Sequence, residues 1–514
     1  MSIEIEELVG KLKEENQIRQ TLSRVRALIK EEGVRRYFFQ AMKENVTPII
    51  TCLQNEDAKT RKNAALLLGD LSDVCTENDK ICQALYQAYA SEQQLFVKSS
   101  YLCAMKNYDY RLYAEALQNR KEELSSQTVE ESDLKHVNEE IHMIDEMLIM
   151  LQGLKKHAFT GAHVMSDLVL LTNRKHVKLV EEQVVETLKE AGDSCGEEDV
   201  KAFSAGIMVH TEHVAELMRL RTYQEMLYQV KGMISLPMNP AQAADQIVKS
   251  KLFEFLKERH EVEEDAAFYF RIELKSAMDL GSKSTFVKKM SYEIEKLSGN
   301  QLVNNKSNYE FEIRLIETKT GKFNCLVKLY TQEDQRFAYR KRSVAASLKP
   351  ENAALLVALS KDYMKEDAQV LDPFCGTGTL LIERQKVVKA NTSYGIDIYE
   401  EAIEGARVNT EAAGQIVHYI NKDYFEFEHE YLFDEIITDM PFETGHKAAE
   451  EIEEIYQKFF KKAHKDLNGD GRVILYTHNR DYVEKYAKTS GFIILKHEII
   501  LEKAGTDLYI LEVQ

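Results

Sequence analysis

The sequence predicts a multidomain chain in three parts. An all-helical N-terminal third is followed by an α+β middle and an α/β C-terminal domain on a doubly wound parallel sheet. Three observations predict it. Residues 1–155 hold almost no glycine, and their apolar positions recur at helical spacing. Between 165 and 345, short strand-like apolar runs alternate with amphipathic helical stretches. From about 365 onward, short buried strands and helices alternate regularly, the pattern of a parallel sheet. The 514 residues leave room for three to four domains at about 150 residues each.

Composition narrows the classes. The longest apolar stretches, such as Ala353 to Leu359, fall far short of the roughly 18 residues that span a bilayer, so no membrane span is expected. The start, Met1-Ser2-Ile3-Glu4-Ile5-Glu6-Glu7, is acidic and lacks an apolar signal region. Seven cysteines (Cys52, Cys75, Cys82, Cys103, Cys195, Cys325 and Cys375) form no C-x-x-C pair. That pattern implies reduced thiols in a cytoplasmic protein, with neither a disulfide framework nor a zinc knuckle. The net charge of −18 is unevenly spread: −9 over 1–240, +4 over 241–350 and −13 over 351–514. Residues 281–350 carry 14 basic against 7 acidic side chains, a local cationic footprint of the kind that holds nucleic acid.

In the helical part, Asp57-Ala58-Lys59-Thr60-Arg61-Lys62-Asn63-Ala64-Ala65-Leu66-Leu67-Leu68-Gly69 has the spacing D-x-x-x-R-x-x-A-A-x-x-L-G. It recurs weakly at Val97-Lys98-Ser99-Ser100-Tyr101-Leu102-Cys103-Ala104, with Lys98 lying 37 residues after Arg61. This resembles the second helix of a HEAT repeat, which implies an array of stacked helix pairs over 1–155 with a protein or RNA partner. In the middle, Asp167 to Thr172, Ala205 to Val209 and Met226 to Val230 read as strands, and Val177 to Ala191 and His213 to Leu220 as helices. The expected order is β-α-β-α-β over 165–235. Pro237-Met238-Asn239-Pro240 reads as a joint to a second unit over 236–345. That unit holds a strand at Phe268 to Leu274, a helix at Ser284 to Leu297, and a hairpin of Tyr309 to Ile316 and Asn324 to Tyr330 turning near Gly321.

The C-terminal domain carries the chemistry. Val370-Leu371-Asp372 is a buried strand that runs into Pro373-Phe374-Cys375-Gly376-Thr377-Gly378-Thr379 and then a helix. Such a glycine turn lets backbone approach a ligand at a helix N-terminus. Leu381 stands where a dinucleotide fingerprint needs its third glycine, which disfavours NAD. Tyr394-Gly395-Ile396-Asp397-Ile398 is a second strand ending in an acid 19 residues after Gly378, placed to accept bonds from ribose hydroxyls. Asn421-Lys422-Asp423-Tyr424 and Phe433 to Asp439, followed by Met440-Pro441-Phe442, complete the set. Cys375 has no neighbouring His, Lys or Arg to activate it and reads as a packing residue. His210 and His213 lack a third ligand, so no metal site is expected.

Taken together, these elements resemble the class I S-adenosylmethionine-dependent methyltransferases, over about 350–514. The resemblance implies a Rossmann-like sheet, with Asp372 to Thr379, Asp397, Ile398, Asp423 and Tyr424 around S-adenosyl-L-methionine. It also implies that Asp439-Met440-Pro441-Phe442 stands for the D/N-P-P-Y/F signature of enzymes that methylate a planar exocyclic nitrogen. Met440 departs from the usual proline. Upstream, Leu220-Arg221-Thr222 and Arg336-Phe337-Ala338-Tyr339-Arg340 resemble the L-R-T and R-x-G-Y-R of THUMP-domain RNA methyltransferases. Tyr223 stands where alanine is usual and Ala338 where glycine is. This resemblance implies a ferredoxin-like piece over 165–235, a THUMP-like RNA-binding domain over 236–345, and an enzyme acting on guanine N2 of tRNA or rRNA, its RNA held by the basic 281–350 segment. The rival readings are a methyltransferase for DNA adenine or protein glutamine, and a HEAT-type scaffold with a relic methyltransferase domain.

Overall fold

The computed structural model describes residues 2–13, 17–126, 133–153, 156–193, 199–262, 267–345, 347–443 and 449–514. Cys195, and Ala346 in the alanine-rich run before Pro350, lie outside the described residues. The chain divides into two compact units, Met1–Lys155 and Lys156–Gln514. No described helix is long and apolar enough to cross a membrane.

The first unit is helical throughout its described residues. Its local logic is clearest where the sequence repeats. Asp57 caps the helix Ala58–Asp70 by accepting from the amides of Lys59 and Thr60. Gly69, near that helix's end, is required by a close approach. A Cβ there would lie 2.9 Å from the Ala104 Cα of the helix Leu95–Met105, so the two recurring segments pack side by side. Arg61 is bound through Nε and Nη2 to the buried Glu92 at 2.8 and 2.7 Å, and Glu92 also accepts from the Tyr101 hydroxyl at 3.0 Å.

The second unit holds two main sheets. Its first ten strands are β1 (Ala158–Phe159), β2 (Ser166–Leu171), β3 (Val200–Phe203), β4 (Gly206–Thr211), β5 (Glu225–Tyr228), β6 (His260–Glu261), β7 (Phe268–Lys275), β8 (Leu302–Asn304), β9 (Phe311–Glu317) and β10 (Phe323–Leu329). Strands β1 and β6 pair with each other. The other eight form one sheet in the order β3-β4-β2-β5-β10-β9-β7-β8. Here the structure corrects the expected division at 236. β5 pairs with β10 (Tyr228 opposite Val327), and Leu236 bridges Phe323, so both segments share one sheet and one apolar core. Pro237-Met238-Asn239-Pro240 is no joint. Asn239 caps and Pro240 opens the helix Pro240–Val248, which packs on the helix Leu280–Leu297. The order over 165–235 is also corrected, to β-α-β-β-α-β. β3 is an edge strand whose Lys201, Ala202 and Phe203 are exposed, so it lacks the apolar run that marks a buried strand. The expected helix at 213–220 is only Val214–Leu217.

The last seven strands are β11 (Ala368–Asp372), β12 (Ala390–Asp397), β13 (His418–Asn421), β14 (Phe433–Asp439), β15 (Leu467–Thr477), β16 (Phe492–Leu501) and β17 (Thr506–Val513). Their order is β13-β12-β11-β14-β15-β17-β16, parallel through β15 with an antiparallel terminal hairpin. Pro350 opens the helix Pro350–Ser360 before the sheet. A buried Arg384–Glu435 pair at 2.9 Å ties the helix Thr379–Val387 to β14. The order reverses between β11 and β14, and the crevice at the carboxyl ends of these strands is where open α/β sheets bind ligands.

Candidate methyl-donor and target-amine site

The sequence-predicted acids gather at that crevice. Asp372 ends β11 fully buried. Its Oδ1 accepts from the Phe374 amide at 3.1 Å and the Thr438 hydroxyl at 2.7 Å. After Pro373 the chain turns through Gly376 (φ +52°) and Gly378 (φ +76°) into the helix Thr379–Val387. Gly378 is needed twice over, because its backbone is left-handed and a Cβ would lie 2.3 Å from the Tyr419 hydroxyl. Gly376 opens instead onto free space. Its amide donates to Asp397 Oδ2 at 2.9 Å, while Asp397 Oδ1 accepts from the Tyr399 amide at 2.9 Å. Cys375 donates its amide to the Ile396 carbonyl at 2.9 Å, and burial holds its thiol well above the ordinary value. The side chain packs in the apolar core.

Strand β13 brings the next acid alongside. The Asn421 side-chain amide and the Lys422 backbone amide both donate to the Asp397 carbonyl, at 3.0 and 3.1 Å. Asp423 is exposed and caps the short turn after it. Ile398 stands exposed beside Asp397. Tyr424 is the residue the structure does not bring to the crevice. Its ring is buried beside Phe374, Phe425 and Phe459, and its hydroxyl bonds Asp466 at 2.9 Å. The side chain belongs to the core beneath.

Asp439 ends β14 opposite Tyr476. Its Oδ1 is buried without a hydrogen-bond partner among the described residues. Burial, with the nearby Asp372 charge, pushes its carboxyl up to about 8. Asp372 is likewise pushed up to about 7 by burial, against the opposing Thr438 bond. A buried carboxyl oxygen without a partner suits a ligand that brings positive charge or N–H donors. Met440 donates its amide to the Tyr476 carbonyl at 2.9 Å, and its side chain joins the apolar core, which accounts for methionine at this position. Pro441 leads to Phe442, whose ring stacks on His478 (centroids 4.2 Å, planes 26° apart). His478 is half-buried, bonded to the Ala504 carbonyl, and held below its usual pKa by burial. Nothing in its local sequence marks it, since its partners come from β14 and the terminal hairpin.

The upstream motifs meet this domain at Glu383, a fully buried acid on the helix after the glycine turn. Arg221 bonds it through Nε and Nη2 at 2.8 and 2.6 Å, and the Tyr339 hydroxyl at 2.6 Å. Arg221 also bonds the Arg336 carbonyl. Arg336 in turn bonds the Tyr223 carbonyl at 2.7 Å and lies 3.7 Å over its ring, which gives Tyr223 its place. Ala338 is not among the left-handed residues of the chain, so no glycine is required there. Asn409, fully buried, completes the junction. Its Oδ1 accepts from the amides of Lys341 and Arg342 at 2.8 and 2.9 Å, and its Nδ2 donates to the carbonyls of Arg342 and Thr377 at 2.9 and 3.1 Å. Asn409→Ala leaves these four groups unpartnered. It is expected to cost about 2–4 kcal/mol, read as a lower urea midpoint at unchanged slope.

The residues present fit a sulfonium nucleoside cofactor. The glycine turn is open at Gly376, the hydroxyls of Thr377 and Thr379 are buried without partners, and Asp397 faces the turn. Comparison with known proteins agrees. Residues 338–500 match the family model described as "UPF0020: RMKL-like, methyltransferase domain". The tRNA (guanine(10)-N2)-dimethyltransferase of Methanothermobacter thermautotrophicus is 32% identical over 131 residues, 25% of this chain and 38% of that protein. The enzyme of the same name from Pyrococcus abyssi is 30% identical over 168 residues, 32% of this chain and 48% of that protein. The chain thus spans less than half the length of these curated relatives. Among solved structures, TrmN from Thermus thermophilus has the same fold (TM-score 0.51, 18% identity, 68% of this chain and 99% of that one). So does SMU.472, solved in complex with SAH (TM-score 0.50, 14% identity, 68% and 98%). The C-terminal part of the chain has a class I methyltransferase-like α/β fold, and the match to a methyltransferase family model implies S-adenosyl-L-methionine as its cofactor.

Proposed function

We propose that the chain is an RNA methyltransferase acting on an exocyclic base amine, guanine N2, in tRNA rather than rRNA. The observation that carries this reading is the buried, unpartnered Oδ1 of Asp439 at the carboxyl edge of the sheet, beside the glycine turn. The tRNA guanine-N2 names of the two curated relatives support the choice of substrate. S-adenosyl-L-methionine supplies an electrophilic methyl group on a cationic sulfur. The rest is done by the chain.

Asp397 grips the ribose, and Asp423 contacts the adenine. An aryl amine is a poor nucleophile because its lone pair is delocalised into the ring. Asp439 Oδ1 and the Met440 carbonyl accept its two N–H bonds and restore lone-pair character toward the methyl group. As the N–C bond forms, the methyl–sulfur bond breaks to leave a neutral thioether, and the surplus proton on the nitrogen passes to the Asp439 carboxylate. An N–H donor arriving at Oδ1 favours the ionised carboxylate, so the group charges as the substrate seats. Phe442, backed by His478, stacks on the base once it has left its helix or loop. Alignment for in-line attack supplies most of the remaining rate. Phe442→Ala is expected to weaken RNA capture by ~1–3 kcal/mol, the worth of a stacking partner. His478→Ala shows a smaller loss in the same direction, read as the RNA concentration for half-maximal transfer. The helical unit serves as a HEAT-type array that holds a protein or RNA partner.

Transfer of tritiated methyl groups to RNA, DNA and protein from one lysate tests the reading. Label in RNA is expected. Label in DNA or protein identifies one of the other planar-nitrogen substrates, and no label in any fraction leaves the scaffold reading.

A further inference from the structure

The linker that joins the eight-stranded sheet to the methyltransferase domain carries three consecutive cations, Arg340, Lys341 and Arg342. Lys341 and Arg342 are exposed. Among the described residues none of the three side chains has a carboxylate partner, and the Arg340 Nε is buried with no hydrogen bond at all. Their neighbours differ. Arg314 and Lys328 are both paired to Glu225, and Arg336 is paired to Asp334. The cations also border a segment, 351–514, of net charge −13, yet no acid from it is spent on them. Cations without a carboxylate partner are ready donors for an oxyanion.

Their position is fixed by the Asn409 amide. One side-chain amide binds both the strip, through the Lys341 and Arg342 amides and the Arg342 carbonyl, and the glycine turn, through the Thr377 carbonyl. Gly405 marks how closely the pieces meet: a Cβ there would lie 3.2 Å from Thr377 Cγ2 and 3.3 Å from Arg342 Cβ. The strip therefore cannot drift relative to the methyl-donor cradle.

We infer that Arg340, Lys341 and Arg342 form a phosphate-binding strip for the ribose-phosphate backbone of the RNA substrate. It sets the reach from a gripped phosphate to the nucleotide that enters the pocket. Phosphate contacts position a nucleic acid without reading its sequence, so the strip selects where along the RNA the pocket opens and leaves the choice of base to Asp439 and Phe442. This inference rests on the RNA reading proposed above.

The test is binding of bulk tRNA, with bulk rRNA alongside, to the full chain between 50 and 200 mM salt, paired with calorimetry of S-adenosyl-L-methionine. For Lys341→Gln/Arg342→Gln, affinity for tRNA at the lowest salt is expected to fall about 10- to 50-fold. The slope of log affinity on log salt should become shallower by roughly one to two, with cofactor affinity at the wild-type value. The charge-preserving Lys341→Arg/Arg342→Lys restores most of the slope. If the wild type binds tRNA with a steep salt slope and the glutamine variant does the same, the strip is overturned while the RNA reading stands. A fall in cofactor affinity reassigns the strip to the cofactor's carboxylate and overturns it equally. A wild type that binds neither RNA overturns both.

Discussion

Asp439→Ala is expected to lower single-turnover methyl transfer by at least ~100-fold while leaving S-adenosyl-L-methionine binding near the wild-type value. The residues proposed to hold the cofactor follow β11, β12 and β13, whereas Asp439 ends β14. A preorganised contact that strengthens as the amine gains charge is worth ~3 kcal/mol or more. The same residue carries a stability signature. Its folded carboxyl stands at about 8, against about 3.9 in an unfolded chain. Below the lower value both states hold the proton, and the stability it contributes is fully present. As pH rises toward 8 the unfolded chain releases a proton that the fold retains, so that stability is lost. Asp439→Asn removes this liability. It is expected to raise the unfolding midpoint by an amount that grows between about pH 4 and pH 8, reaching roughly 1–3 kcal/mol, while abolishing turnover. A variant that is both inactive and stabler marks a residue kept for chemistry. Wild-type transfer by Asp439→Ala would reduce the segment from Asp439 to Phe442 to a strand end.

Glu383→Ala is expected to be the most destabilising substitution of the junction, at about 3–5 kcal/mol, the cost of stranding one half of a buried charged pair. It strips Arg221 of two bonds and Tyr339 of one, at a fully buried carboxylate. Because these bonds join the eight-stranded sheet to the helix behind the glycine turn, the loss should appear in RNA affinity before it appears in cofactor affinity. Denaturant titration at pH 7 checks the first part, and the second follows from binding at a temperature where the variant is still folded. Glu383→Gln keeps one acceptor oxygen for these donors at the same shape and should recover part of the stability.

What could be read from the sequence was what the chemistry needs contiguously. The turn from Asp372 to Thr379 is legible because strand, glycines and helix start lie within a dozen residues. Asp397 is legible because it ends the neighbouring strand beside the glycine turn. Asp439 to Phe442 stood out for the same local reason. Residues whose meaning comes from distant partners stayed silent. Arg221 and Glu383 are 162 positions apart, and Asn409 meets the linker across 67 and 68. His478 acquires its role only when β15 lies beside β14. The prolines at 237 and 240 read as a joint because a helix cap and a linker use the same residues. β3 was missed because an edge strand can be polar. Tyr424 follows Asp423 in sequence, but the short turn it opens packs its ring against Phe374 and Phe459.

The central claim is that an exocyclic guanine amine on RNA receives the methyl group at Asp439. Mass spectrometry of nucleosides from tRNA incubated with the protein and isotopically labelled S-adenosyl-L-methionine tests it most directly, with Asp439→Ala alongside. Labelled N2-methylguanosine is expected with the wild type and falls at least ~100-fold with the variant. Label on adenine N6, or equal N2-methylguanosine from both proteins, would contradict it.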